Sequence, residues 1–233
     1  MTDHSNRPDA DQVSAMDGTS WKVLVLVVLL AVIFWLFMTR SAPQVASTHP
    51  AVGSPAPTLD LVQLIPASDS PEPQPAASPQ EAEEGTDAAA PATLTGLPAA
   101  GKVTLLHIWG TWCPPCLLEY PELVEMTAEL TSEPGFQFVT ISCGGGGPDE
   151  FEPLQAETRA YYREIGAGEL VTYADLQGAT RRSLMEQLKE SIVYPTTVLI
   201  SPEQRIAGVW LGYSPAGVSE MRQAIQDLLK SSR

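Results

Sequence analysis

A β-rich apolar run, KVTLLHIW at 102–109, is followed after three residues by a stretch of helical spacing at 113–130. The cysteines of Cys113-Pro114-Pro115-Cys116 stand at the junction. Leu117, Tyr120, Leu123, Val124 and Leu130 recur at the intervals of one helix face. A thiol at a helix N-terminus meets unpaired backbone N–H groups and the positive end of the helix dipole, and both favour the thiolate. The thiolate is the form that attacks a disulfide, and two intervening residues let the sulfurs bond within the first helical turn. Pro115 fits that turn because the N–H it lacks would have had no partner there, and the Pro-Pro spacer stiffens it. Cys113 is therefore the candidate attacking thiol and Cys116 the resolving one.

The same alternation continues along the chain. FQFVTIS at 136–142 reads as a strand, 157–165 and 180–188 as helices, and YPTTVLIS at 194–201 and QRIAGVWLG at 204–212 as strands. An amphipathic helix at 219–230, carrying Met221, Ile225, Leu228 and Leu229, closes the chain. Strands separated by helices predict an α/β fold with a mostly parallel sheet covered on both faces. The glycine run at 144–147 lacks the GxGxxG or GK[ST] context of a nucleotide site and reads as a flexible loop.

The chain has 3 cysteines, an odd count too small for a disulfide scaffold, so they point to chemistry rather than stapling. Half a zinc site is the competing meaning of two cysteines so spaced. Zinc would need two more ligands, and Cys143, His107, His49 and His4 stand unpaired along the sequence. We expect no metal and no cofactor. A formal charge of −15, with 13 Lys and Arg, excludes nucleic acid as a partner, because phosphate binding needs clustered cations.

The apolar run at 23–38, flanked by Trp21, Lys22 and Arg40, reads as one transmembrane helix at 21–40. Snorkelling Lys22 and Arg40 help it cover a hydrocarbon layer of about 30 Å. The segment before it is long and acidic, Arg40 closes it, and no A-x-A site follows, which favours an anchor over a cleaved signal peptide. Arg7 and Lys22 before the run, against Arg40 after it, place the tail at 1–20 in the cytoplasm and the C-terminal domain in the periplasm or another extracytoplasmic space. A linker at 41–51 follows. Within the domain at 52–233, a Pro-, Ala- and acid-rich segment at about 66–92 has too little apolar area to offset its conformational entropy, so we expect disorder there. Ahead of it, VGSPAPTLDLVQLI at 52–65 fits either a strand or a linker by pattern.

WGTWCPPC, Pro121 within the following helix, and YPTT before a strand some eighty residues later together resemble the thioredoxin superfamily. The chain is most similar in these motifs to the membrane-anchored, exported thiol-disulfide oxidoreductases of the TlpA and ResA type, whose opening segment VGSPAP resembles. The resemblance covers about 52–229, interrupted by the acidic insertion near the first hairpin. It implies a thioredoxin-like fold with a central mixed sheet and helices on both faces. It also implies exchange with protein disulfides or thiols, in the reducing direction used in cytochrome c maturation and recharged by a membrane electron donor of the thiol-transfer kind. Pro195 would be a cis-proline facing the disulfide, against the alternative of an ordinary trans strand start. A cis bond there presents the backbone of Tyr194 to an extended substrate. Trp112 and Pro114 would meet the substrate as well, with Trp109 as buried support.

Three features depart from that pattern. Pro114 and Pro115 fill the spacer, where many relatives carry Glu, so no spacer carboxylate can tune the thiol. Cys143, ending FQFVTIS, is either a third thiol near the pair or a small buried residue. His107, six residues before Cys113, occupies the place where relatives keep a buried polar group. It is either a proton relay for Cys116 or a core histidine satisfied by hydrogen bonds. Two other classes stay open on this fold. A copper-binding chaperone would space its cysteines by three and add a distant His. A peroxiredoxin-like peroxidase would want Thr where Gly110 stands.

Overall fold

A computed structural model describes residues 22, 25–32, 48–66, 91–146, 149–168 and 170–232. The chain divides into two units, Met1–Ala42 and Pro43–Arg233. In the first, 25–32 is helical with its side chains exposed. Among the described residues no helix is long and apolar enough to cross a membrane. The rest of the expected span at 21–40 lies outside the described residues, as do the tail at 1–20, most of the linker and 67–90 of the acidic segment.

The second unit is built on seven strands: β1 Leu59–Ile65, β2 Thr93–Gly96, β3 Val103–Trp109, β4 Phe136–Ser142, β5 Thr172–Ala174, β6 Thr196–Ile200 and β7 Ile206–Leu211. They order as β2-β1-β5-β4-β3-β6-β7 in one sheet. The helices are α1 Pro114–Leu130, α2 Phe151–Ile165, α3 Ala179–Leu188 and α4 Gly217–Ser231. β3 lies inside the sheet between β4 and β6, and all of its residues are buried, which is why it reads as a nearly unbroken apolar run.

Alternation along β3 divides the core. Leu106 and Ile108 join Val139, Ile141, Leu184 and Val198 on the α3 side. Val103 and Leu105 pack with Leu123 and Met126 of α1 and Ile225 of α4 on the other side. Trp109 extends that second face to Cys113, Cys116, Tyr120 and Tyr162. Each fully buried Leu or Ile contributes roughly 1.5–3 kcal/mol relative to exposure.

The expected mostly parallel sheet is corrected. Among the described strands only β3–β4 and β4–β5 are parallel. β1–β2, β1–β5, β3–β6 and β6–β7 run antiparallel. The reason is that β6 and β7 join through a short turn without a helix, and β1 and β2 pair across the acidic segment, with Gln63 N–H donating to Ala92 O at 2.7 Å. That segment thus falls inside the first hairpin. The sheet is mixed, with helices on both faces, as the resemblance implies.

Candidate active site

β3 ends at Trp109, and a turn through Gly110 delivers Cys113 to the start of α1. Cys113 has extended backbone, φ −103° and ψ 100°, and serves as the N-cap, with Pro114 and Pro115 in the first helical positions. Its Sγ accepts from the Cys116 amide at 3.3 Å, which satisfies one of the orphan donors of the helix start. The two cysteines are joined in a disulfide, with Cα atoms 5.3 Å apart. Cys113 keeps 3% of its surface exposed and Cys116 0%, so an approaching partner can reach only the first sulfur. Pro114 and Pro115 are exposed beside it.

Further along α1, Pro121 removes the amide that would bond the Leu117 carbonyl. The Tyr161 hydroxyl donates to that carbonyl instead, at 3.3 Å, so the helix carries its proline without an orphaned acceptor.

Two loops flank the turn. On one side β6 pairs Thr196 with Ile108, which sets the preceding cis Tyr194-Pro195 bond beside the end of β3. The Pro195 carbonyl accepts from Gly212 N–H at 2.8 Å. On the other side the Cys143 amide donates to Trp109 O at 2.9 Å. Trp112 spans the two: its Nε1–H donates to Cys143 O at 2.9 Å, and its ring meets Tyr194 edge to face at 5.0 Å. Trp112 remains 43% exposed, whereas Trp109 is fully buried. Gly110 makes this possible, because a Cβ there would sit 2.4 Å from Trp112 Nε1 and 2.5 Å from Cys143 O. The glycine run is not a free loop over its described part. Gly145 lies against the Trp112 ring, and the Gly144 amide is bound by Asp149 Oδ1 at 2.9 Å.

His107 is fully buried on the β3 face that carries Trp109. Its Nδ1 pairs with Thr197 Oγ1 at 2.8 Å, and its ring tilts against Tyr120 at 5.6 Å, one turn beyond Cys116. Nε2 has no hydrogen-bond partner. Burial pushes its pKa down to about 3, so the ring is neutral at ordinary pH. Cys143, by contrast, belongs with Val139 and Ile141 on the opposite face of the sheet from Cys113 and Cys116. Burial pushes its thiol up to about 12, which keeps it protonated.

Sequence reasoning missed Glu119. Three residues beyond Cys116 on α1, it is buried, and its Oε2 has no partner. Burial, reinforced by Glu122, raises its carboxyl to about 7. The signal was available: Glu119 shares the Cys116, Tyr120, Leu123 stripe, where a helix turns inward.

Beneath the disulfide lies a line of hydroxyls. Trp109 Nε1–H donates to Thr140 Oγ1 at 2.9 Å, Thr140 meets Tyr120 OH at 3.0 Å, Tyr120 meets Tyr162 OH at 2.6 Å, and Tyr162 meets Thr172 Oγ1. Thr172 donates to the Leu170 carbonyl at 2.9 Å. With both ends fixed, every proton must point from Trp109 toward Leu170. Tyr120 therefore has no proton to spare for the sulfurs, whereas His107 Nε2 and Glu119 Oε2 are buried atoms without a hydrogen-bond partner. Among the described residues no group of three or more His, Cys, Asp or Glu is placed to hold a metal ion.

Residues 51–225 match the family described as Redoxin. The chain belongs to the Redoxin family. Within it, this Redoxin chain is 44% identical over 36 residues to the thiol:disulfide interchange protein DsbE of Pseudomonas aeruginosa, a stretch covering 16% of this chain and 20% of that protein. It is 27% identical over 112 residues to the thiol-disulfide oxidoreductase ResA of Bacillus subtilis, covering 48% of this chain and 54% of that protein. The chain thus spans about half the length of these relatives or less. Among solved structures, a thiol:disulfide interchange protein of the thioredoxin family from Chlorobium tepidum superposes with a TM-score of 0.51 at 19% identity, covering 76% of this chain and 97% of that one. A likeness at that identity shows the fold, and the fold is thioredoxin-like.

Proposed function

We propose that this protein is a membrane-anchored, exported thiol-disulfide oxidoreductase that reduces protein disulfides. The observation that carries the reading is the Cys113–Cys116 disulfide at the N-terminus of α1, open only at Cys113 and flanked by the cis Tyr194-Pro195 bond. In the reduced enzyme the Cys113 thiolate attacks a substrate disulfide, forming a mixed disulfide and releasing one substrate thiolate. Cys116 then loses its proton and attacks the Cys113 sulfur. The Cys113–Cys116 bond forms as the Cys113–substrate bond breaks, the second substrate sulfur leaves as a thiolate that takes a proton from water, and two electrons have passed to the substrate.

The Cys116 proton needs an acceptor inside the protein. A base near pH 7 is well matched to a thiol, whereas one near 3 is poorly matched. Glu119, at about 7, fits better than His107, at about 3. In this reading Glu119 takes the proton, and His107 keeps a polar, neutral edge beneath the helix. Tyr194, Pro195, Trp112 and Pro114 meet the substrate chain, which adds along the cis-proline loop as an extended strand.

The reducing direction and the cytochrome c maturation setting follow the motif resemblance, the relatives' names support thiol–disulfide exchange, and the apolar run at 23–38 supports the anchor. A membrane thiol donor would recharge the pair. Equilibration of the domain with dithiothreitol buffers tests the direction. We expect a midpoint nearer about −270 mV than about −120 mV, the values of a reductant and of a strong oxidant. A midpoint near the latter would overturn the reducing role. Extraction of cell membranes at alkaline pH tests the anchor, since release into the supernatant would refute it.

A further inference from the structure

Behind Trp112 and Tyr194 lies an ionic cluster that the exchange chemistry does not use. Arg181, in the first turn of α3, is 18% exposed at its side chain and faces two buried carboxylates, Asp149 and Asp175. Its Nη2 donates to Asp149 Oδ2 at 3.0 Å and to the Asp175 carbonyl at 2.9 Å. Its Nε donates to Asp175 Oδ2 at 3.2 Å. Nη1 donates to the Tyr194 hydroxyl at 3.4 Å. Asp175 also binds the amides of Thr180 and Arg181 at 3.2 and 2.8 Å, which ties the guanidinium to the start of its own helix.

These contacts close a ring. Trp112 is bonded to Cys143 O, and the next amide, Gly144, is held by Asp149. Asp149 is held by Arg181, Arg181 reaches Tyr194, and the Tyr194 ring returns to Trp112. Four separate segments meet there: the active-site turn, the glycine run, α3 and the cis-proline loop. Arg181 touches both the glycine-run side, through Asp149, and the cis-proline side, through Tyr194, and so braces from behind the two sides that Trp112 spans in front. A planar guanidinium suits that task because its fork bonds several acceptors in fixed directions, which an ammonium cannot do.

We propose that Arg181 is a positioning residue: acting through the Tyr194 hydroxyl and Asp149, it sets the Trp112–Tyr194 aromatic wall against which a protein substrate docks. The inference rests on the exchange reading above. It separates two events that the reading treats together, since the wall governs docking of a polypeptide while sulfur chemistry proceeds at Cys113.

Three readouts test it on the reduced protein: the KM and kcat for insulin as a polypeptide disulfide, the rate with 5,5′-dithiobis(2-nitrobenzoate) as a small disulfide, and the Trp112 indole N–H signal by NMR. For Arg181→Met we expect the insulin KM to rise about five- to tenfold, with kcat and the small-disulfide rate changed less than about twofold. Tyr194→Phe should also raise the insulin KM, the double variant should be no worse than Arg181→Met, and the Trp112 signal should move in each. Arg181→Lys should rescue little. Proportional losses with both disulfides, additive effects in the double variant, or an unmoved Trp112 signal would overturn the proposal. If Arg181→Met does not fold, Tyr194→Phe decides, because an unchanged KM with an unmoved signal is equally fatal. Wild-type protein inert toward both disulfides would overturn the exchange reading itself, and the Trp112 signal would still show whether Arg181 sets the wall.

Discussion

His107 and Thr197 face each other across the β3–β6 pairing, with Nδ1 2.8 Å from the hydroxyl. The folded ring holds a proton only near pH 3, while an unfolded chain holds one near 6.5. Between those values the unfolded state binds more protons, so His107 contributes stability above about pH 6.5 that is lost as pH falls toward 3. His107→Asn should therefore narrow the gap between urea midpoints measured at pH 7 and pH 4. An identical gap in the two proteins would show that this ring does not drive the acid response.

Glu119 works in the opposite sense. Its carboxyl is raised from 4.5 to about 7 in the fold, so its contribution is fully present below pH 4.5 and disappears as pH rises through 7. Glu119→Gln should be more stable than wild type at pH 8, by ~1–3 kcal/mol, and little different at pH 4. The same change should slow resolution of a Cys113 mixed disulfide about a hundredfold and remove its inflection near pH 7. Stopped-flow release of the second thiol reads both, and an unaltered profile would take Glu119 out of the proton path.

Gly110 is pinned between Trp112 Nε1 and Cys143 O. Gly110→Ala must push the indole off the carbonyl, at a cost of ~1–3 kcal/mol in chemical denaturation. Insulin reduction should fall with it. A variant as stable and as active as wild type would mean that the turn has room which the structure denies.

Cys143 should be silent while the protein is folded. With the thiol near 12 and fully buried, iodoacetamide at pH 8 should label Cys113 of the reduced protein and leave Cys143 untouched until urea is added. Mass spectrometry of the labelled peptides decides the point. Rapid native labelling of Cys143, or a disulfide from it to the active-site pair after partial oxidation, would restore it as a third thiol.

Legibility in the sequence followed the strength of local signals. β3, β4 and α1 stand where the apolar runs and helix spacing place them, because burial of β3 on both faces and the inward stripe of α1 write themselves into composition. β2 and β5 were not read. TLTG and TYA are too short to alternate, and they exist because β1 supplies a pairing edge on each side. α2 begins at Phe151 rather than at the expected 157, since Pro153 sits in the first turn, where it breaks nothing. Strand direction was misread for a related reason: helices between strands suggest parallel pairing, but which strands become neighbours is settled by packing. Within the site, the cysteines and the neighbouring Trp112 were readable from motif and placement, and the cis Tyr194-Pro195 bond from the family resemblance. Glu119 was marked only by its place on the inward stripe of α1, and Arg181 by nothing local, because a charge on a helix looks solvated until tertiary structure closes over it.

Cys113 is both half of the disulfide and the cap of α1, its sulfur accepting the Cys116 amide. One atom thus ends a helix and carries the electrons. Cys113→Ser, which keeps a capping oxygen, should leave the helix start intact while abolishing exchange, whereas Cys113→Ala gives up ~1 kcal/mol of capping as well. There is a thermodynamic corollary. Folding and reduction form a closed cycle, so the difference in unfolding free energy between the oxidised and reduced protein equals the shift in the pair's potential on folding. Two melting curves, one for each oxidation state, would therefore serve as a calorimetric gauge of electron affinity.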